Sequence, residues 1–274
     1  MTAEIQRFAF GKNWRRFLKL VDAQRVASAE ESIQTLFGKT TLAGKRFLDA
    51  GCGSGLFSLA AVQLGASVVS FDYDAEAVAC TQELKRRFAP DQNRWVITRG
   101  SVLDESFLKS LGQFDIVYSW GVLHHTGSLW KALDCVHPPV RPKGYLCVAI
   151  YNDQGGSSRR WAKIKAMYNS SPKVLQWLLI ALVGLYFEGK AAGIRWLKGN
   201  NSLPLSPSRG MSRWVDLVDW VGGYPFEVAT PEAIFDFFRK RSMILIRLKT
   251  CGGGHGCNEF VFKKVSMDDD EPKE

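Results

Sequence analysis

LDAGCGSG, residues 48–55, is the stretch of sequence that decides the fold of this 274-residue chain. A short apolar run at 46–50 leads into its glycines, and a helical pattern over 56–64 follows them. Glycines between a strand and a helix let the backbone turn tightly and bring a ligand against the main chain. The stretch therefore predicts a strand, a ligand-binding turn and a helix, in that order.

Strand and helix signals alternate outward from this turn, between residues 45 and 151. Alternation of apolar strands with helices implies a parallel sheet covered by helices on both faces, with right-handed crossovers. A helix over 231–241, with Thr230 as its N-cap, then precedes two strands that form an antiparallel hairpin. The sequence thus predicts a doubly wound α/β fold with strands at 46–50, 66–72, 95–98, 114–119, 145–150, 243–249 and 259–265.

The pattern breaks between residues 152 and 230, where glycine, serine and proline stretches surround apolar segments. One segment, VLQWLLIALVGLYF at 174–187, is shorter than the roughly 20 residues of a membrane span, and it predicts a buried or interfacial helix. Lys190, Arg195 and Lys198 follow it and would favour an anionic interface. The predicted divisions are an N-terminal helical segment (1–44), a core (45–151), an inserted helical cap facing the substrate (152–230), a closing helix and hairpin (231–265) and an acidic tail (266–274).

Composition limits the function classes further. The formal charge of +9 is compatible with a solvated basic surface, an anionic substrate, an anionic membrane or nucleic acid. The start of the chain lacks an apolar signal region, and the six scattered cysteines fit a reducing compartment, so a cytoplasmic protein is expected. The run CGGGHGC, with Cys251, His255 and Cys257, offers three potential zinc ligands where structural sites use four, so no metal is predicted.

The cofactor is indicated by two carboxylates. Asp72 ends the second predicted strand, where a carboxylate can take both hydroxyls of a ribose, so the loop and Asp72 together predict a nucleoside-containing cofactor. For NAD the third glycine, Gly55, comes one residue early, and Asp49 places negative charge where a pyrophosphate would sit. A carboxylate suits instead a cofactor with a cationic amino group and a sulfonium, which describes S-adenosylmethionine.

Residues 48–55 resemble motif I, D-x-G-x-G-x-G, of the class I S-adenosylmethionine-dependent methyltransferases. The resemblance is strongest over 47–151, looks closest to the quinol O-methyltransferases of ubiquinone biosynthesis, and implies a Rossmann-like, seven-stranded sheet with an antiparallel last hairpin. Ser101 stands where the family often has Asp. Carried over to this chain, the resemblance implies cofactor contacts from Asp49, Gly51, Cys52, Gly53, Gly55, Asp72, Ser101, Val102, Ser119 and Trp120, with Trp14 closing over the cofactor.

The predicted activity is transfer of a methyl group to an oxygen or sulfur of a small, aromatic or lipid-like acceptor. His125 is the expected base because imidazole titrates near working pH, with Tyr151 and Asp216 as the other catalytic candidates. Trp214, Asp216 and Trp220 are expected to cover the acceptor side. The alternative is a tRNA or other RNA methyltransferase, motivated by the +9 charge but without a recognisable RNA-binding module. Peripheral membrane contact and the oligomeric state stay open.

Overall fold

The computed structural model describes residues 8–38, 40–198, 213–252, 254 and 256–266, without the side chains of 190–198 and 213–215. Several predictions fall outside these described residues. They concern the acidic tail beyond Ser266, His255, and the side chains of Lys190, Arg195, Lys198 and Trp214.

A seven-stranded sheet forms the centre of the molecule, in the order β3-β2-β1-β4-β5-β7-β6. The first five strands are parallel, and β7 runs antiparallel to both of its neighbours. The fold class and the antiparallel last hairpin predicted from the sequence are therefore confirmed. The strands are β1 (Arg46–Ala50), β2 (Ser67–Asp72), β3 (Trp95–Arg99), β4 (Phe114–Trp120), β5 (Val140–Tyr151), β6 (Met243–Lys249) and β7 (Cys257–Lys264).

Helices cover both faces of this sheet because successive strand residues point to opposite sides. Phe47 packs into one core with side chains of α1 to α4, and its neighbour Leu48 packs into the other core with side chains of α5, α6 and α10. The helices are α1 (Phe10–Leu18), α2 (Ala23–Phe37), α3 (Leu56–Gln63), α4 (Ala75–Phe88), α5 (Glu105–Ser110), α6 (Leu129–Val136), α7 (Gly156–Ser170), α8 (Lys173–Lys198), α9 (Arg213–Gly222) and α10 (Pro231–Arg239).

Helices α7, α8 and α9 form a third apolar cluster, which includes Trp161, Ile180 and Val218. The predicted helix at 174–187 is part of α8, which has 26 residues. Ile180 and Val183 of α8 are buried, whereas its other large apolar side chains are mostly exposed, with Val174 at 83% and Leu185 at 70%. Among the described residues, no helix has both the length and the apolar character that a membrane crossing requires.

The ends of the closing helix follow from local chemistry. Thr230 is the N-cap of α10, as predicted, because its hydroxyl accepts a hydrogen bond of 3.2 Å from the Ala233 amide. The helices α2, α7 and α9 fall within the segments 1–44 and 152–230 that the sequence predicted as helical, but the sequence did not delimit them individually. The buried positions of α7 include Lys165 between Trp161 and Tyr168, so a charged residue interrupts the apolar period that would have identified the helix.

Candidate functional site

A cavity of about 710 Å³ opens at the carboxyl ends of the parallel strands, between α1 and α9. Ligands in open α/β sheets bind at this edge, where the loops after several strands converge. Most of the residues predicted for the site share its lining. They are Trp14, Asp49, Gly51, Cys52, Gly53, Asp72, Ser101, Val102, Trp120, His125, Tyr151 and Asp216.

The glycine loop forms the floor of one half of the cavity. The amides of Gly51 and Cys52 both donate to the Phe71 carbonyl oxygen, at 2.9 and 3.0 Å, which ties the loop to the second strand. Gly53 has a φ of +55°, and a Cβ there would lie 2.9 Å from the indole of Trp14. Only glycine therefore lets the α1 indole and the loop backbone approach this closely.

Two predicted cofactor contacts, Gly55 and Ser119, lie behind the wall of the cavity. Gly55 has a φ of +81°, and a Cβ at this position would lie 2.7 Å from the Thr81 side chain, so its role is to let the chain turn into α3. Ser119 is fully buried, and its hydroxyl donates to the Ala50 carbonyl oxygen at 2.8 Å. Both residues support the loop and do not line the cavity.

Asp72 is the first of two carboxyls at the glycine loop, and two backbone amides fix its orientation. One carboxylate oxygen accepts the Gly53 amide at 3.0 Å, and the other accepts the Asp74 amide at 2.9 Å. Each oxygen keeps acceptor capacity for a hydroxyl, because a carboxylate offers about four lone-pair sites. Burial raises the pKa of Asp72 to about 6, against the lowering effect of these two amide hydrogen bonds.

Asp49 is the second carboxyl beneath the glycine loop. It is buried, it accepts a hydrogen bond from the Ser58 hydroxyl, and Ser58 in turn accepts one of 2.7 Å from Ser70. Burial raises the pKa of Asp49 to about 7, against the lowering effect of the Ser58 hydrogen bond and with a smaller contribution from the nearby Asp72. A cation bound beside the loop would favour the charged form of both carboxyls. The loop therefore combines glycines with two carboxyls that a positively charged ligand would stabilise in their charged form.

His125 lies on the opposite half of the cavity, at the end of a short 3₁₀ turn (Leu123–His125). Its Nδ1 lies 2.7 Å from the Pro225 carbonyl oxygen and must donate to it, which leaves Nε2 unprotonated. Burial lowers the pKa of His125 to about 3, so the ring is neutral and weakly basic at working pH. The neighbouring His124 is fully buried and accepts a 3.4 Å hydrogen bond from the Tyr151 amide, so it is a packing residue.

Sequence reasoning identified Asp216 but missed Asp219, which also lines the cavity. The two residues are three positions apart in α9, which puts them on one face of the helix, and this spacing was a readable signal. Asn13 of α1 donates from Nδ2 to Asp219 Oδ1 at 2.8 Å. Burial raises the pKa of Asp216 to about 6 and that of Asp219 to about 8.

The other predicted acceptor-side residues lie elsewhere. Trp220 is absent from the lining of the cavity and packs edge-on against Trp161, with ring centroids 4.3 Å apart, because its ring belongs to the core of the cap. The side chain of Trp214 is outside the described residues. The structure instead adds aromatic side chains that sequence reasoning did not single out. These are Phe8, Phe10 and Tyr224.

The metal-free prediction stays a prediction, because His255 lies outside the described residues. Within the part of the chain that the structure describes, no three His, Cys, Asp or Glu side chains are grouped as a metal site would require.

Comparison with known proteins adds independent evidence. A sequence profile described as a methyltransferase domain matches residues 21–178. A ubiquinone biosynthesis O-methyltransferase of Rattus norvegicus mitochondria is 32% identical over 111 residues, which cover 40% of this chain and 32% of that protein. Its counterpart from Pseudomonas aeruginosa (strain LESB58) is 34% identical over 113 residues, 40% of this chain and 46% of that protein. The matched segment thus spans less than half of each relative.

The fold has close counterparts among solved structures. Magnesium protoporphyrin IX methyltransferase from Synechocystis PCC 6803, solved with bound SAH, superposes with a TM-score of 0.55 over 93% of this chain and 94% of that one, at 14% identity. An O-methyltransferase family protein from Burkholderia thailandensis gives a TM-score of 0.52 over 81% of this chain and 52% of that one, at 10% identity. At these identities the likeness establishes the fold alone. The family profile covers more than half of the chain, and the cavity combines the glycine loop with two carboxyls that suit a cationic nucleoside. The chain therefore belongs to the methyltransferase-domain family, in its class I fold, with S-adenosylmethionine as cofactor.

Proposed function

We propose that this methyltransferase transfers a methyl group to an oxygen or sulfur of a small, aromatic or lipid-like acceptor. The observation that supports this most is the half of the cavity facing the glycine loop, where aromatic rings alternate with a few polar groups. Phe10 packs against His125 with ring centroids 4.9 Å apart, and the Tyr151 ring lies 5.6 Å from that of His125. Flat apolar walls with few polar groups suit a hydroxylated ring better than a charged macromolecule.

The cofactor, when bound, supplies a methyl group already activated on a sulfonium. The chain's own task is then to bind, to align and to exclude water. In this proposal Asp72 holds the ribose, Asp49 lies beneath the loop as the counter-charge, and Ser101 and Val102 flank the adenine. Trp14 closes over Gly53, and Trp120 lies under the methionine portion.

The acceptor side is proposed to come from the cap and the N-terminal helix. The divisions 1–44, 45–151, 152–230, 231–265 and 266–274 then have distinct roles, with the core holding the cofactor and the cap holding the acceptor. Asp216 and Asp219 reach the cavity from α9 in the cap, and Asn13 of α1 donates a hydrogen bond to Asp219. His125 and Tyr151 complete this wall from the core. Together with Asp216 they are the catalytic residues that the sequence predicted, and they are proposed here as such.

The exposed face of α8 supports a cytoplasmic protein that makes peripheral contact with a membrane. Val174, Leu178, Leu182 and Leu185 recur at intervals of three and four residues and form one exposed apolar stripe. Basic side chains are exposed at the start of this helix and along α7. They are Lys173, Arg159, Arg160 and Lys163. Apolar residues beside lysines and arginines favour an anionic lipid surface, where a lipid-like acceptor would be found.

Labelled methyl transfer tests the proposal. The protein is incubated with methyl-labelled S-adenosylmethionine and a host extract, and lipid, small-molecule, RNA and protein fractions are counted separately. We expect the label in the lipid or small-molecule fraction, with Asp72→Ala as the inactive control. Label in the RNA fraction would instead establish RNA as the acceptor class, and the net charge of +9 would then be explained by binding to the phosphate backbone.

A further inference from the structure

We propose that Asp219 takes the proton from the acceptor during methyl transfer, and that Asn13 is its positioning residue. This inference rests on the proposed function, because it requires an acceptor whose oxygen or sulfur carries a hydrogen.

Geometry gives the first argument. Asp219 lines the cavity on the same face of α9 as Asp216, across from the glycine loop. The Asn13 side-chain amide fixes one carboxylate oxygen, Oδ1, at 2.8 Å, and Asn13 itself is only 2% exposed. Because Asp219 lines the cavity, its carboxyl is within reach of an acceptor hydroxyl bound there. The buried hydrogen bond from Asn13 holds the carboxylate in one orientation, as a proton acceptor requires.

The position of α1 gives the second argument. The Gly11 amide donates to Asp74 Oδ2 at 2.9 Å, and Trp14 covers Gly53, so α1 is attached to the cofactor half of the cavity. Asn13, between these two residues, reaches across to the acceptor half. One rigid helix therefore sets the distance between Asp219 and the cofactor loop, which is the distance that alignment for methyl transfer depends on.

Charge gives the third argument. Lys165 is fully buried in α7, donates to the Trp220 carbonyl oxygen, and attracts the charge of Asp219 from behind the cavity wall. Burial raises the pKa of Asp219 to about 8, near working pH, where a general base is most effective. His125, with a pKa of about 3, is a far weaker base. The titratable groups that act on Asp219 or share its surroundings are Asp216, Lys165, Tyr151, Tyr168, Cys257 and His125.

The proposed step balances in atoms and charge. The acceptor oxygen forms a bond to the methyl carbon, the methyl–sulfur bond breaks with its electron pair staying on sulfur, and the acceptor O–H proton moves to Asp219. The sulfonium charge and the carboxylate charge both disappear, leaving a methyl ether, a thioether and a neutral carboxyl that later returns its proton to water.

The experiment compares two phenolic probes. Catechol is un-ionised at neutral pH and needs a base, whereas 4-nitrocatechol is already largely ionised and does not. We expect Asp219→Asn to lower kcat on catechol by roughly a hundredfold or more, and on 4-nitrocatechol by less than about tenfold. Asp219→Glu should restore part of the loss. Asp236→Asn, on the surface of α10, is the matched control and should leave both rates unchanged.

A second measurement does not depend on turnover. In protein labelled with ¹³C at the aspartate carboxyls, the resonance that Asp219→Asn removes should titrate near pH 8. Because the Asn13 hydrogen bond lowers the pKa of Asp219, Asn13→Ala should move this titration, and the rising limb of kcat/KM with pH on catechol, to higher pH. If Asn13 only filled space, its replacement would shift neither the titration of Asp219 nor the rising limb of kcat/KM.

The possible outcomes distinguish failure of this inference from failure of the proposed function. If the wild type methylates neither phenol and the labelled extract gives no lipid or small-molecule product, the proposed function fails and the inference falls with it. If the wild type is active and Asp219→Asn matches it on catechol, the inference alone is wrong. If Asp219→Asn does not fold, Asn13→Ala decides, since an unchanged pH limb and an unchanged titration would overturn the role of Asp219.

Discussion

Replacing Asp49 with asparagine should make the ligand-free protein more stable and the cofactor-bound protein less active. Asp49 is 3% exposed, and its hydrogen bond from Ser58 does not offset the cost of a buried negative charge. Asparagine has nearly the same shape and can still accept from the Ser58 hydroxyl, but it carries no charge. The change thus removes the charge while leaving the packing in place.

The magnitude follows from linkage between proton binding and folding. The pKa of Asp49 rises from 3.8 to about 7 on folding, so the folded state holds its proton over a range where the unfolded chain has lost it. The wild-type free energy of unfolding therefore falls as pH rises from about 4 to 7, by about 1.4 kcal/mol per pH unit, and stays low above that range. At pH 8 the expected gain for Asp49→Asn is about 2–4 kcal/mol, which corresponds to a rise in Tm of roughly 5–10 °C.

Denaturant unfolding at pH 5, 6, 7 and 8 measures this directly, with calorimetry of S-adenosylmethionine binding alongside. Binding should weaken by about 1.5–3 kcal/mol, because the variant loses a charge-assisted interaction with a cationic ligand. Asp115→Asn is the matched control. Asp115 is also buried but has Arg141 and Lys45 as ion-pair partners, so its loss should destabilise the protein. A ligand-free Asp49→Asn that is no more stable than wild type, with a difference that does not vary with pH, would refute the reasoning.

Three further predictions concern the cofactor, the acceptor wall and α8. Calorimetry should show that S-adenosylhomocysteine binds the wild type. Binding should be lost or much weakened in Asp72→Ala, which removes a ribose contact worth about 1.5–3 kcal/mol. It should also be lost or much weakened in Gly53→Val, because the added side chain would meet Trp14. Exclusive binding of NADH would contradict the cofactor assignment. His125→Ala should lower turnover by roughly ten- to a hundredfold through misalignment of the acceptor, with S-adenosylhomocysteine affinity and the pH limb unchanged. The wild type should float with anionic liposomes and not with neutral ones, and Leu182→Glu should abolish flotation. If the wild type stays in the bottom fraction with anionic liposomes, α8 does not face lipid.

The sequence predicted the sheet well because short-range rules govern its parts. Apolar runs, the glycine turn at 48–55 and the N-cap Thr230 each act within a few residues, whereas the order of the strands in the sheet was found only in the structure. The negative charge at Asp49 indicated a cationic cofactor before any packing was known. The structure adds that this carboxyl is buried, which is a property of the folded chain and cannot be read from a motif.

The acceptor wall could be predicted only in part because it is assembled from distant segments. Asn13 and Asp219 are 206 residues apart in sequence, yet they share a hydrogen bond at the wall of the cavity. His125 was a reasonable base by its residue type, but the carbonyl oxygen of Pro225 and the loss of contact with water determine its protonation. The identity of a titratable residue suggests a role, whereas its surroundings decide its basicity.

Burial of carboxyls without permanent cationic partners explains why stability and function oppose each other in this cavity. Asp49 and Asp72 each have a pKa raised mainly by loss of contact with water. Natural sequences remove such conflicts from ordinary cores, where replacement by a neutral residue would stabilise the fold. In the proposed function the partner of these carboxyls is the positive charge of the cofactor, which would lower both pKa values and bind more tightly as the carboxyls ionise. Cofactor affinity should therefore rise as the pH increases towards about 7, while the ligand-free protein loses stability, and both trends should weaken together in Asp49→Asn, in which only Asp72 still titrates at the loop.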